Sequence, residues 1–218
     1  MLNDFSDIRI NDFVMSLSKE LDNDILKLKN YAIENDVPII RDEAKDFLVF
    51  VLNLKKPKKI LEIGTAIGYS TMVMHKICED ANIVTIEDFE KRVKIAKENI
   101  NLYGDGKIEL INKDATEYLK ENNEKEVFDF VFLDAAKGQY INWISDIKRL
   151  MKKGAVLIAD NIFKDGEILE SKFLIKKRNR TIHKRMREYL YNIVNDKELK
   201  TQIFNLADGI SVSIKEEV

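Results

Sequence analysis

The chain has 218 residues, 45% hydrophobic and 34% charged, with 36 Lys plus Arg against 38 Asp plus Glu. That fits one folded domain with a small appendage and excludes a disordered or collagen-like chain. One cysteine, Cys78, and two histidines, His75 and His183, exclude an intrachain disulfide, a cysteine-clustered metal centre and a three-histidine site. No run approaches the ~20 apolar residues of a membrane helix. The start, MLNDFSDIRI, lacks a basic region followed by an apolar one. The expectation is a cytoplasmic protein with no membrane partner, and a net charge of -2 argues at first sight against nucleic acid.

In chain order, residues 6–35 carry Phe13, Leu17, Leu21, Ile25, Leu28 and Ala32 at the spacing of one helix face, with charges between them, and predict a single helix. Pro38 interrupts it, a second helix is predicted over residues 42–54, and residues 55–59 with Pro57 form a polar link. Residues 1–57 therefore read as a helical extension packing on a main domain, residues 58–218, within one compact unit. From Lys58 onward short apolar runs alternate with helix-periodic stretches, the pattern of an α/β chain with a mainly parallel sheet. The runs are residues 60–63, 83–86, 108–111, 127–133 and 155–159. The clearest intervening helix is residues 89–103, striped by Val93, Ala96, Ile100 and Tyr103 and stopped by Gly104-Asp105-Gly106. Residues 201–206 and 210–215, joined through Asp208-Gly209, predict a hairpin-like pair that closes the sheet antiparallel.

Each of the five runs ends in, or is followed by, an acid: Glu62, Glu87, Asp114, Asp134 and Asp160. The carboxyl ends of the strands in an open parallel sheet line one rim, where ligands bind. One such acid is as readily a helix N-cap. Five on one rim raise each other's pKa and suit a ligand with hydroxyls, positive charge or a metal ion. The first run leads into Glu62-Ile63-Gly64-Thr65-Ala66-Ile67-Gly68-Tyr69-Ser70, a glycine turn opening a helix. Gly64 and Gly68 let the backbone approach a nucleoside, and Glu87, 23 residues after Gly64, is placed to accept hydrogen bonds from ribose hydroxyls. A dinucleotide fingerprint has glycine where Glu62 stands. An acid there is unfavourable beside a diphosphate and favourable beside a sulfonium and an ammonium, which points to S-adenosylmethionine rather than NAD.

Glu62 to Ser70, Glu87, Asp114-Ala115, Phe132-Leu133-Asp134 with Lys137, and Asp160-Asn161 together resemble the divalent-cation-dependent O-methyltransferases, which include the catechol and caffeoyl-CoA enzymes. The similarity covers at least residues 58–161, in order and at matching spacing. It implies a Rossmann-like class I methyltransferase fold: a mainly parallel seven-stranded sheet with an antiparallel last strand, helices on both faces, and a homodimer as in relatives. It also implies that Ile40, Glu62, Gly64, Ser70, Glu87, Asp114, Ala115 and Asp134 hold S-adenosylmethionine, although Ile40 reads equally as a core residue. Asp134, Asp160 and Asn161 would bind the metal, and Lys137 would stand with Asp134 at the reacting hydroxyl, as a base or as a charge stabilising the oxyanion. Two carboxylates and an amide oxygen make a hard site suited to Mg²⁺, Mn²⁺ or Ca²⁺. Trp143 and Tyr140 read as walls of an acceptor pocket or, equally, as core.

The stretch from Ser171 to Arg187, SKFLIKKRNRTIHKRMR, holds eight Lys or Arg and no acid, and the rest of the chain has 28 basic against 38 acidic residues. On a helix, Ile182, Met186, Tyr189 and Ile193 share one face while Arg180, Lys184 and Arg187 project from the other. A charge run is ordinarily a solvated face, but a strip following the metal-bearing strand also suits phosphate contacts with RNA. Arg178 to Tyr189 and Ala207-Asp208-Gly209-Ile210 resemble a bacterial branch of the family, the tRNA 5-hydroxyuridine methyltransferases. That branch implies a tRNA partner, with Lys176, Lys177, Arg178, Arg180, Lys184 and Arg187 on the RNA. His183 is expected as an ordinary helix-surface residue. A small catechol-like or CoA-linked phenol is the alternative acceptor. A cofactor-binding protein without turnover is opposed by the intact Asp134, Lys137, Asp160 and Asn161.

Overall fold

The computed structural model describes residues 8–18 and 22–216. The single helix expected over residues 6–35 is two helices, α1 (Ile8–Ser16) and α2 (Asn23–Glu34), while Ser6, Asp7 and Leu21 lie outside the described residues. Apolar periodicity carries across the interruption, but the polar groups do not. The Ser16 hydroxyl turns back to donate to the Phe13 carbonyl at 2.6 Å, and the Asp22 carboxylate accepts from the Asp24 amide at 2.9 Å, capping a new helix. Ile25, Leu28 and Ala32 are buried as expected, whereas Phe13 and Leu17 are exposed. α3 (Asp42–Lys55) follows Pro38 and ends on Lys56 in a left-handed conformation.

The five apolar runs form β1 (Lys59–Ile63), β2 (Asn82–Glu87), β3 (Ile108–Asn112), β4 (Phe128–Leu133) and β5 (Met151–Ala159). Between them lie α4 (Tyr69–Ile77), α5 (Glu90–Tyr103), α6 (Ala115–Glu121) and α7 (Tyr140–Leu150). α8 (Arg180–Asn195), β6 (Leu199–Phe204) and β7 (Ile210–Lys215) complete the order. β6 begins and ends two residues earlier than expected: Leu199 is buried, and the chain leaves the strand before Ala207, which is left-handed at φ 51°. The sheet order is β3-β2-β1-β4-β5-β7-β6; β1 to β5 pair in parallel and β7 runs antiparallel to both β5 and β6.

Two apolar clusters cover the two faces. One joins Leu61, Val131 and Leu157 to Trp143 and Ile147 of α7 and Met186 and Tyr189 of α8; the other joins Ile60, Phe130 and Ile158 to residues of α2, α3 and α4. Successive strand residues thus feed opposite cores, the two-fold alternation of a sheet covered on both sides. The register aligns the strand ends: Ile63 is opposite both Ile86 and Leu133, and Leu133 is opposite Ala159. Gly64, Glu87, Asp134 and Asp160 therefore leave the sheet side by side. The strand order reverses between β1 and β4, where such sheets open a crevice. Among the described residues no helix is long and apolar enough to cross a membrane.

Candidate active site

A cleft of about 680 Å³ opens at that crevice. Gly64, Ser70, Glu87, Asp114 and Ala115 line one part of it, and Asp134, Lys137, Trp143 and Asn161 line another. Ile40, itself packed into the apolar core, closes the side nearest α3 together with Arg41. Glu87 accepts from the Ala66 amide at 2.9 Å through one oxygen and from the Phe89 amide at 3.0 Å through the other. Two backbone donors thereby fix the carboxylate and leave lone pairs for hydroxyl donors. Asp114 caps α6 by accepting from the Thr116 and Glu117 amides at 2.7 and 3.2 Å, so it is both an N-cap and a wall of the cleft.

Gly64 leaves β1 at φ +105°, and a Cβ there would lie 2.0 Å from the Asp134 carbonyl oxygen. The contact is to backbone, so neither chain can yield by rotating a side chain. Gly64→Ala is expected to destabilise the protein by about 2–4 kcal/mol through overpacking and a disfavoured dihedral. Chemical denaturation of the variant checks this, and a midpoint equal to that of the parent would show that the β1 and β4 exits are not in contact.

Glu62 is not on the rim. It is wholly buried inside β1 and does not line the cleft. Its carboxylate accepts from the Ser70 hydroxyl at 2.5 Å and the Thr85 hydroxyl at 2.6 Å, and also from the Thr71 hydroxyl. Thr85 is its register partner on β2. Since Thr85 gives its only hydroxyl hydrogen to Glu62, the 2.6 Å contact between Thr65 and Thr85 has Thr65 as donor. Glu62 thus ties the glycine turn and the start of α4 to the sheet, and reaches the cleft only through Ser70. Burial pushes its carboxyl up to about 7, against the pull of the three hydroxyls.

A carboxyl whose folded pKa is raised stabilises the fold below its unfolded pKa, near 4.5, and that contribution is lost as pH rises towards 7. Glu62→Gln is expected to remove about 2–3 kcal/mol of this pH dependence. Urea unfolding at pH 5 and pH 8 measures it; an undiminished difference between the two in the variant would place the buried charge elsewhere.

At the ends of β4 and β5 the chemistry-bearing groups converge. The Lys137 ammonium donates to Asp134 Oδ1 at 2.7 Å and to the Tyr140 hydroxyl at 3.0 Å, and lies 3.5 Å from Asn161 Oδ1. Tyr140 Oη also accepts from the Ala135 amide and donates to the Leu133 carbonyl, both at 3.1 Å. Burial pulls the Lys137 pKa down, but Tyr140 and Asp134 outweigh it and hold the ammonium above the ordinary lysine range. Asp160 is 1% exposed; its Oδ1 accepts from the Asn161 amide at 2.7 Å, and its Oδ2 has no hydrogen-bond partner among the described residues. Burial first, then the charge of Asp134, raises its carboxyl to about 6. Asn161 sits at φ 53°, an unusual conformation that asparagine tolerates better than most residues.

Among the described residues no group of three or more His, Cys, Asp or Glu could hold a metal ion. A cation here therefore needs the amide oxygen of Asn161 beside the two carboxylates. The set fits a hard divalent ion: all donors are oxygen, one is buried and orphaned, and the Lys137 ammonium already bridges two of the three.

Trp143 lines the cleft while donating from Nε1 to Thr116 Oγ1 at 3.0 Å. Tyr140 is fully buried and forms no part of the cleft wall; its hydroxyl instead holds Lys137. Sequence reasoning missed that clamp, for which the Lys137-x-x-Tyr140 spacing was the available signal. It also missed the Thr65, Thr71 and Thr85 hydroxyls, for which no local pattern exists.

Lys176, Lys177, Arg178, Arg180, Lys184 and Arg187 are all exposed, on the turn before α8 and on its first half. His183, expected at the surface, is buried with Nε2 3.1 Å from the Glu170 carbonyl. It was misplaced because residues 163–175 cover the start of α8, whose buried face runs through His183 and Met186 to Tyr189. α8 reaches the site directly: Arg185 donates to the Gly138 carbonyl at 3.2 Å, one residue beyond Lys137.

A family described as O-methyltransferase matches residues 15–216. A catechol O-methyltransferase of Niastella koreensis is 28% identical over 167 residues, covering 74% of this chain and 76% of its own length. A Staphylococcus aureus crystal structure, provisionally assigned as a caffeoyl-CoA O-methyltransferase, superposes with a TM-score of 0.84 at 29% identity, over 95% of this chain and 98% of that one. An O-methyltransferase of Bacillus cereus, crystallised in complex with SAH, has a TM-score of 0.82 at 22% identity over 95% and 97% of the two chains and shares the fold.

Proposed function

The chain belongs to the O-methyltransferase family, and from that premise we propose that it transfers the methyl group of S-adenosylmethionine to an acceptor hydroxyl held at a divalent-cation site beside Lys137. The observation that carries this reading is that Asp134, Lys137 and Asn161, with Asp160 buried next to Asn161, share one cleft with Glu87, Ser70 and the Gly64 turn. SAH in the Bacillus cereus protein of the same fold supports the cofactor assignment.

Glu87 would accept the ribose hydroxyls, Asp114 and Ala115 would hold the adenine end, and Asp134 and Ser70 the amino-acid end. S-adenosylmethionine, when bound, would supply a methyl on a sulfonium; with the hydroxyl proton released to solvent, the acceptor oxygen would form the O–CH3 bond as the C–S bond breaks and a neutral thioether leaves. Asp134, Asp160 and Asn161 would hold a Mg²⁺, Mn²⁺ or Ca²⁺ ion, which would supply Lewis acidity and lower the pKa of the acceptor hydroxyl. Lys137, held as an ammonium by Tyr140, supplies a second positive charge beside the oxyanion. Trp143 and Ile40 wall the cleft with apolar surface and limit water at the reacting atoms.

For the acceptor we favour 5-hydroxyuridine at the wobble position of tRNA. Seven of the eight cations between Lys172 and Arg187 have no carboxylate of the described residues within 4.0 Å; Lys184 alone has one, Glu188 at 3.5 Å. Unpaired cations beside the mouth of the site suit a polyanion, and an unpaired anticodon base can be splayed into a cleft. The small-phenol reading draws on the names of the relatives. Incorporation of labelled methyl into tRNA carrying 5-hydroxyuridine, compared with incorporation into catechol at moderate salt, separates the two. The expected result is transfer to tRNA that falls when Lys176, Lys177 and Arg178 are neutralised. Transfer to catechol alone would overturn the RNA assignment.

A further inference from the structure

A second cleft, of about 1020 Å³, lies between residues 169–172 and the first half of α8, its charged lining being Lys172, Arg180, Lys184, Arg185 and Arg187 against Glu170 and Glu188. It begins one hydrogen bond from the catalytic turn, because Arg185, which lines it, donates to the Gly138 carbonyl. Its arginines are held in place, and no carboxylate of the described residues lies within 4.0 Å of them. Arg180 Nε donates to the Ile175 carbonyl at 3.1 Å and Arg187 Nη1 to the Ile168 carbonyl at 2.9 Å. Each guanidinium thus spends one donor on backbone and keeps its charge and remaining donors for solvent or a ligand.

Phe173, outside the lining but next to Lys172 within it, is 76% exposed, with the Lys172 ammonium 5.2 Å from its ring centroid. An exposed aromatic face beside fixed cations is the pairing that single-stranded nucleic acids use, one for bases and the other for phosphates. Resting on the RNA reading above, we propose that this second cleft is a subsite for a nucleotide flanking the acceptor, its phosphate held by Arg180 and Arg187 and its base stacked on Phe173. The position next to the Lys137 turn favours RNA over an anionic membrane, since a nucleotide here is continuous with an acceptor base in the first cleft.

The test uses the full-length protein, a single-stranded RNA heptamer with 5-hydroxyuridine at its centre, and three variants: Phe173→Ala, Phe173→Trp and Arg180→Gln with Arg187→Gln. Phe173→Ala should raise KM for the heptamer about tenfold, in the range that loss of one stacked base gives, and Phe173→Trp should restore it. The arginine double variant should reduce the slope of log KM against log salt by about 0.7, the value for one phosphate neutralised in a single strand. Thermal unfolding at the parental temperature identifies variants that are folded.

If the parent methylates the heptamer and all three variants keep its KM and salt slope, the subsite is wrong and the RNA reading stands. If the parent methylates catechol and not the heptamer, both fall. If Phe173→Ala abolishes binding to phosphatidylserine-containing vesicles and leaves KM for the heptamer unchanged, the surface is a membrane contact and the subsite falls.

Discussion

Asp160→Asn is expected to lose methyl transfer by a factor of about 10³ and, in metal-free buffer at pH 8, to be more stable than the parent by about 1–2 kcal/mol. Both effects have one origin. The parent buries a carboxylate whose Oδ2 has no partner among the described residues and which lies near the charge of Asp134. Its folded pKa, raised from 3.8 to about 6, means that the protonated form is favoured on folding. That contribution is complete below pH 4 and is lost as pH rises towards 6, so the stability advantage of the variant should appear over this window and level off above it. The asparagine still accepts from the Asn161 amide and carries no charge to desolvate, although one of its own donors replaces the orphaned oxygen. Addition of Mg²⁺ should reverse the ranking, since a ligand that binds only the folded parent stabilises it by mass action. Thermal melts of both proteins at pH 4 and pH 8, with EDTA and with Mg²⁺, give the four comparisons. A variant that is less stable than the parent in EDTA at pH 8 would show that Asp160 is a structural carboxylate.

Lys137→Met should lower kcat by about 10² to 10³, within the range of a positioned catalytic group. The lysine donates to Asp134 and Tyr140, contacts that favour the ammonium, so on the proposed reading it acts through its positive charge. Lys137→Arg should accordingly recover part of the loss, because an arginine stays charged and cannot act as a base at ordinary pH. Steady-state kinetics on the two variants separate the roles. Equal loss in Lys137→Arg and Lys137→Met would favour a base, and parental kcat in Lys137→Met would remove the residue from catalysis.

The central strands β1, β2, β4 and β5 were legible because each carries a short branched or aromatic run buried on both faces, whereas β3 and β6, at the sheet edges, are only partly buried and were marked by branched residues next to turn signals. The acid after each run gave the rim, and Glu87, Asp114 and Asp134 do line the cleft. Glu62 departed from it because the acid lies within its strand and not after it. Its side chain meets Thr85 across the sheet and Ser70 and Thr71 at the start of α4, partners that strand pairing alone brings near. The break between α1 and α2 was hidden for the opposite reason: apolar spacing continues through residues where local capping bonds end one helix and begin another. Residues 163–175 were harder still. Two left-handed non-glycine residues, Lys164 and Asp165, precede Gly166, and the resulting path covers His183 and positions Arg187 through carbonyls that no sequence pattern marks.

Titration of EDTA-stripped protein with Mn²⁺, following bound ion by electron paramagnetic resonance and methyl transfer in the same samples, tests most directly whether Asp134, Asp160 and Asn161 hold a catalytic cation. The expected result is transfer that is absent without the ion and rises with occupancy of a single site, with neither signal recovered in Asp160→Asn. Full turnover by the stripped protein, or Mn²⁺ binding to Asp160→Asn as tight as to the parent, would contradict it.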